Sequence, residues 1–165
     1  MLTVGKKSLT LAHGKIGLIS DTHGLLRPEA LIALKGCELI IHAGDIGKPE
    51  ILIGLKEIAP VLAIRGNNDR ELWAKNIPDV LQLRVNGVKL EVIHDVHDLA
   101  DNALAAGFRA VISGHSHKPM VATRDDVLYI NPGSAGPRRF KLPVAVALLR
   151  LRLAEISAKI IELRV

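Results

Sequence analysis

One cysteine, four aromatic side chains and no apolar run of membrane-spanning length set the first limits on this chain. Cys37 has no partner in the sequence, so no disulfide forms within the chain, in keeping with a reducing compartment. A bilayer needs roughly 18 to 20 consecutive apolar residues, and no stretch reaches that length. The opening MLTVGKKSLTLAHG carries two lysines followed by an apolar patch too short for a secretory core, so a cytoplasmic protein is expected. Trp73, Phe108, Tyr129 and Phe140 are scattered, and the basic residues form no dense run. Without aromatic platforms on which bases stack, the net charge of +5 reads as the bias of a solvated surface, and a nucleic-acid partner is disfavoured.

What the chain does have is aliphatic. Nearly half of its 165 residues are apolar, mostly Ile, Leu, Val and Ala, which suits one layered α/β core and leaves too little chain for two. Residues 1–14, with Lys6, Lys7 and His13, are expected to be a flexible, solvated extension, and 15–165 a single domain. Lys15–Ser20 is a strand; Pro28 suits a helix start, with Ala30, Leu31 and Leu34 as its apolar face. Glu38–His42 is a second strand, a helix follows from Pro49, and Val61–Ile64 is a third strand. Strands alternating with helices at this spacing imply parallel crossovers, with ligands beyond the carboxyl ends of the strands.

The middle changes character. Val80–Val85 and Val88–Ile93 flank Asn86-Gly87, a strong hairpin signal. A helix is expected over Asp98–Ala106, stopped by Gly107, and then a short buried strand over Ala110–Ser113. From Met120 the chain reads as extended segments with turns at Asp125-Asp126 and Asn131-Pro132-Gly133-Ser134, and Val144–Leu163 is expected to be a strand hairpin.

Five strand ends finish alike, on Asp21 and His23, Asp45, Asn67, His94, and His115 and His117. On an extended backbone Asp21 and His23 point to the same side, so both can reach one cation. One such histidine is more often packed or solvated than ligating, but repetition at five strand ends is the mark of a metal or catalytic site.

In order along the chain, SDTHG, HAGD, RGNND, His94, GHSH and NPGS resemble the calcineurin-like metallophosphoesterase superfamily, and most closely its YfcE-type small phosphodiesterases. The resemblance runs from about Lys15 to the end. It implies an αββα sandwich of two mixed β-sheets flanked by helices, and a centre of two divalent metals. Asp21, His23 and His117 would hold one metal and Asn67, His94 and His115 the other, with Asp45 bridging. Imidazole and carboxylate without thiolate suit Mn, Fe, Co, Ni or Zn; the resemblance favours manganese. The implied reaction is hydrolysis of a small phosphodiester by a hydroxide shared between the metals.

Two positions depart from the superfamily's pattern. Many members have histidine where this chain has Asn68, and an amide cannot act as a general acid. Asn68 and Asp69 are nonetheless the expected catalytic pair, with Asn68 also contacting substrate, and Asp69 and Arg65 orienting ligands. After His94 the family often has glycine, whereas this chain reads Asp95-Val96-His97; His97 either meets substrate or sits in solvent. His42 is expected to pack behind the ligands, and Arg138 and Arg139 to be solvated. The competing readings are a phosphomonoesterase, a nuclease, or a non-catalytic scaffold like the retromer subunit of this fold. A homo-oligomer is compatible with the family.

Overall fold

A computed structural model describes residues 1–99, 103–104, 106–152 and 155–165. Eleven strands are described: β1 (Val4–Leu9), β2 (Lys15–Ile19), β3 (Leu39–His42), β4 (Val61–Ala63), β5 (Val80–Val85), β6 (Val88–Ile93), β7 (Phe108–Ile112), β8 (Met120–Arg124), β9 (Val127–Asn131), β10 (Ala145–Arg152) and β11 (Glu155–Glu162). The α-helices are α1 (Pro28–Ala33) and α2 (Pro49–Lys56). Each starts on a proline, with Glu29 or Glu50 in its first turn, where a missing N–H costs nothing and a negative charge meets the helix dipole.

The strands form two mixed sheets, ordered β1-β5-β6-β7-β9-β8 and β11-β10-β2-β3-β4. Alternation along each strand decides which side it buries. Ile16, Leu18, Leu39 and Ile41 face the other sheet and meet Leu83, Leu90, Val92, Ala110 and Ile112 in the central core. Ile19, Ile40 and Val146 face outward and are covered by Leu34, Ile51 and Leu55 from the helical segments, with Cys37 as a small buried filler. The two-sheet sandwich is the one expected, and both described helices lie on the flank of the five-stranded sheet. On the other flank Val80, Ile93, Ala103, Phe108, Val111 and Val127 form a smaller cluster. The helix expected over 98–106 falls partly outside the described residues; Val96–Asp98 is a single 3₁₀ turn.

The first fourteen residues differ from expectation. Val4–Leu9 is not a free tail but the edge strand β1, parallel to β5 in register from Val4 opposite Val80 to Leu9 opposite Val85. Pairing covers the backbone edge that β5 would otherwise expose, and the lysines at 6 and 7 suit an edge that must resist further pairing. Thr3 anchors the strand, giving both its N–H (2.8 Å) and its hydroxyl (3.0 Å) to Asp79 Oδ2.

β2, β3 and β4 are mutually parallel, as are β6, β7 and β9. Their carboxyl ends carry Asp21, Asp45, Asn67, His94 and the GHSH segment, so both sheets deliver these side chains to one edge of the sandwich.

Candidate metal centre

The backbone reaches the site differently from the sequence expectation. Asp21 and His23 do not share a side because the strand continues; both are in the left-handed region, with φ of 54° and 45°. Asp45, His115 and His117 are left-handed as well, so five of the nine non-glycine residues with positive φ are candidate ligands. Such conformations are costly and cluster where surrounding structure forces them. Here the two loops after β2 and β3 hold each other: Asp21 N–H donates to Gly44 O (3.0 Å), His23 N–H to Asp45 O (3.0 Å) and Gly24 N–H to Ile46 O (2.9 Å). Glycine is required where a third loop meets them, since a Cβ on Gly66 would lie 2.1 Å from Asp45 Oδ1.

Asp21 is fully buried and its two oxygens are used differently. Oδ2 accepts the Ser20 hydroxyl (2.7 Å) and the His115 N–H (3.1 Å). Oδ1 accepts nothing and faces His117 Nε2 at 3.4 Å, His23 Nε2 at 3.8 Å and His94 Nε2 at 3.9 Å. His94 is fixed from behind, its Nδ1 lying 2.7 Å from the carbonyl of Ala43. That contact makes Nδ1 the protonated nitrogen and leaves the Nε2 lone pair 3.4 Å from Asp45 Oδ2. Lone pairs aimed at carboxylates repel unless positive charge lies between them.

Among the described residues, buried side-chain atoms without a hydrogen-bond partner are Asp21 Oδ1, His23 Nε2, His94 Nε2, His117 Nδ1 and Arg65 Nε. Four of these five belong to candidate ligands, whereas a native interior leaves few polar atoms unpaired. The donors form two trios sharing Asp21: Asp21, His23 and His117, and Asp21, Asp45 and His94. Asn67 and His115 stand at the rim, His115 Nδ1 3.3 Å from Asn67 Oδ1. The donor set, nitrogen and oxygen without sulfur, fits a divalent transition metal.

Electrostatics point the same way. Burial draws His94 toward its neutral form, but Asp45 and Asp21 outweigh it and raise its pKa. Burial opposes ionisation of Asp45 too, yet His94 and the Asn68 N–H lower its pKa to about 2. Burial raises the pKa of Asp21 despite His94 and Ser20. In His117 burial dominates and lowers the pKa, with Asp21 opposing and the Arg139 charge adding to the shift. The pocket holds negative charge and draws in positive charge.

Around the candidate ligands stand residues that position them. Asp69, expected in the catalytic pair, is turned away from the centre. Its carboxylate accepts the backbone N–H groups of Ile46 (3.0 Å), Gly47 (3.0 Å) and Gly66 (2.9 Å), tying the Asp45 loop to the Asn67 loop. Asn68 is exposed and grips Asp45, its N–H reaching Oδ1 (2.9 Å) and its Nδ2 reaching Oδ2 (3.2 Å). Arg65 binds no ligand; it pairs with Asp79 at 3.0 Å. Arg138 and Arg139 are exposed, as expected. Asn131, from NPGS, holds the GHSH loop through the Gly114 carbonyl (2.8 Å) and the Ser116 hydroxyl (3.0 Å), a role the sequence signalled only as a turn.

His97 is 89% exposed and reaches no candidate ligand; its neighbour Asp95 does. Asp95 Oδ1 accepts the His97 N–H (3.0 Å) and its Oδ2 lies 3.6 Å from His115 Nε2. A carboxylate behind a ligating imidazole orients the ring and raises its basicity. Asp95→Asn is therefore expected to weaken manganese affinity by about 10–100-fold, read by isothermal titration, with the melting temperature of the metal-free protein little changed.

His42 behaves as the packed histidine expected. Fully buried, it accepts the Gly44 N–H at Nδ1 (3.2 Å). Its Nε2 lies 2.9 Å from the Thr22 hydroxyl, which donates to the Ile46 carbonyl (2.9 Å). The neutral ring is thereby satisfied at both nitrogens and has no place for a second proton; burial, reinforced by His94, lowers its pKa to about 3. The unfolded chain takes up that proton near pH 6.5 and the folded chain does not, so stability is full above pH 6.5 and falls as pH drops toward 3. The loss at pH 5 is about 2 kcal/mol. Urea midpoints at pH 7 and pH 5 should show a steeper loss in the wild type than in His42→Asn.

Comparison with known proteins agrees with this geometry. Residues 15–153 match the calcineurin-like phosphoesterase superfamily domain. A probable metallophosphoesterase of Methanothermobacter thermautotrophicus is 35% identical over 159 residues, covering 89% of this chain and 91% of that protein. The solved structure of an archaeal phosphodiesterase superposes with a TM-score of 0.74 at 27% identity, covering 89% of this chain and 99% of the other. Zinc-complexed Vps29 of Entamoeba histolytica shares the fold, with a TM-score of 0.69 at 17% identity and coverage of 90% and 98%. The chain belongs to the calcineurin-like phosphoesterase superfamily, a family of metal-dependent phosphoesterases.

Proposed function

We propose that this chain is a binuclear-metal phosphodiesterase of small diesters. Asp21, His23 and His117 would hold one dication and Asn67, His94 and His115 the other, with Asp45 between them; manganese is the metal to test first. The observation that carries the reading is the pair of donor trios gathered about buried Asp21, whose Oδ1, like the Nε2 atoms of His23 and His94, has no hydrogen-bond partner. Similarity to the archaeal phosphodiesterase supports the diester assignment.

Two dications bound there would supply the Lewis-acid charge that activates water and neutralises phosphoryl oxygens. The chain's own residues do the rest. Ser20 and the His115 N–H fix Asp21 through Oδ2 and leave its Oδ1 free, while Asn68 holds both oxygens of Asp45, so neither carboxylate needs to reorganise. In hydrolysis the P–O bond to the alcohol breaks as the water oxygen bonds to phosphorus, and the departing oxygen needs a proton. Asn68 stands exposed at the rim but has no proton to give. Aryl diesters, whose leaving groups depart as anions, should therefore be hydrolysed about 10²–10⁴-fold faster than alkyl diesters. An Asn68→His variant should narrow that gap.

The direct test is release of nitrophenol from bis(p-nitrophenyl) phosphate with and without manganese. Metal-dependent turnover is expected. A protein that binds metal yet cleaves neither diesters nor monoesters would be a non-catalytic relative, a reading the shared fold with Vps29 keeps distinct.

A further inference from the structure

A cleft of about 190 Å³ opens beside the metal centre. One wall is Asn67, His94 and His115, so anything filling it adjoins a group bound at the centre. The rest of the lining includes residues with no part in metal binding: Leu2 and Ile93 supply apolar surface, and Arg65 a guanidinium. Arg65 is held in position by a relay from the N-terminal strand. Its Nη2 lies 3.0 Å from Asp79 Oδ1 and 3.1 Å from Oδ2, and Asp79 is in turn gripped by the N–H and hydroxyl of Thr3. Arg65 keeps 25% of its side-chain surface exposed, so it is open to an occupant of the cleft.

The charges on the cleft decide what it accepts. Asp79 neutralises Arg65, while Asp95 and Asp98 also line the space, so the wall outside the ligands is net acidic. An anionic group is repelled there, and an uncharged one with apolar surface and an acceptor oxygen is matched. We propose that this cleft seats the non-leaving alcohol arm of the diester, an uncharged ring-bearing arm lying on Leu2 and Ile93 with an oxygen turned toward the exposed part of the Arg65 side chain. The inference rests on the phosphodiesterase reading and deepens it. A monoester places a negative oxygen where the arm would be, against the acidic wall, so the cleft also favours diester over monoester. Leu2 and Thr3, the residues leading into β1, turn an open rim into a pocket by lining it and holding Asp79.

Two esters with the same leaving group isolate the arm: bis(p-nitrophenyl) phosphate and methyl p-nitrophenyl phosphate. Their kcat/KM ratio should be at least about tenfold in favour of the aryl arm in the manganese-loaded wild type. Leu2→Trp, which fills the cleft from a half-exposed position, and Arg65→Met should each reduce that ratio about fivefold or more, chiefly through KM for the aryl ester. Manganese content should match the wild type. A wild-type ratio near one, or a ratio unmoved in both variants, overturns the pocket assignment. So does tighter binding of the monoester than of the bis-aryl diester. If Arg65→Met fails to fold, Leu2→Trp alone decides. A metal-loaded wild type that cleaves neither ester overturns the phosphodiesterase reading, and the pocket assignment falls with it.

Discussion

Asp21→Asn should lose manganese and hydrolysis together while the metal-free fold becomes no less stable. The amide has two orientations and both fail. With nitrogen at the Oδ2 position, it confronts the Ser20 hydroxyl and the His115 N–H, which need an acceptor. With nitrogen at Oδ1, it directs hydrogens at the point where the ring nitrogens of His23, His94 and His117 converge. Either way both trios lose their shared anionic donor. If the lost charge stabilisation is about 4 kcal/mol, bis-aryl phosphate hydrolysis falls roughly 10³-fold. Stability should respond in the opposite sense. Burial raises the pKa of Asp21, so its ionised form at neutral pH costs the metal-free protein stability, and the neutral amide removes that cost. Calorimetry of chelator-treated protein should give a melting temperature equal to or above the wild type's. Activity within tenfold of wild type at full metal occupancy would refute the role assigned to Asp21.

Asp69→Ala should show the reverse pattern, with stability hit first and chemistry through it. Removing the carboxylate strips partners from the N–H groups of Ile46, Gly47 and Gly66, which belong to two loops it joins. Only the Ile46 donor is buried, while Gly47 is exposed and Gly66 half-buried, so a loss of about 2–3 kcal/mol is expected. For a chain of this size that lowers the melting temperature by roughly 4–12 °C. Asp45 would drift with its loop, weakening metal binding by about 10–100-fold. A variant melting with the wild type but catalytically dead would return Asp69 to the catalytic role.

The contrast between these two aspartates shows what the sequence could and could not disclose. Ligand chemistry admits few residue types, so Asp-x-His, Gly-Asp, Gly-Asn and Gly-His-x-His in order stood out against an aliphatic background. The parallel strands, the Asn86-Gly87 hairpin and the final hairpin were legible because apolar periodicity and turn chemistry are local. Asp69 and Asp21 look alike in one dimension; only the fold shows that one faces three amides and the other three imidazoles. The left-handed turns at Asp21, His23 and Asp45 were equally hidden, because they are imposed by hydrogen bonds between loops distant in sequence. β1 was misread because Lys6, Lys7 and Ser8 look like a solvated tail, and solvated charge is also what an edge strand displays. Asp95 escaped because its meaning depends on His115, twenty residues on and across a strand.

Cations held among Asp21, Asp45, His23, His94 and His117 are the central expectation. Anomalous diffraction from crystals grown with manganese tests this most directly. Two peaks are predicted, one bounded by Asp21, His23 and His117 and one by Asn67, His94 and His115, with Asp45 between them. Full-occupancy manganese elsewhere on the surface, with no peak within that ring of side chains, would contradict it.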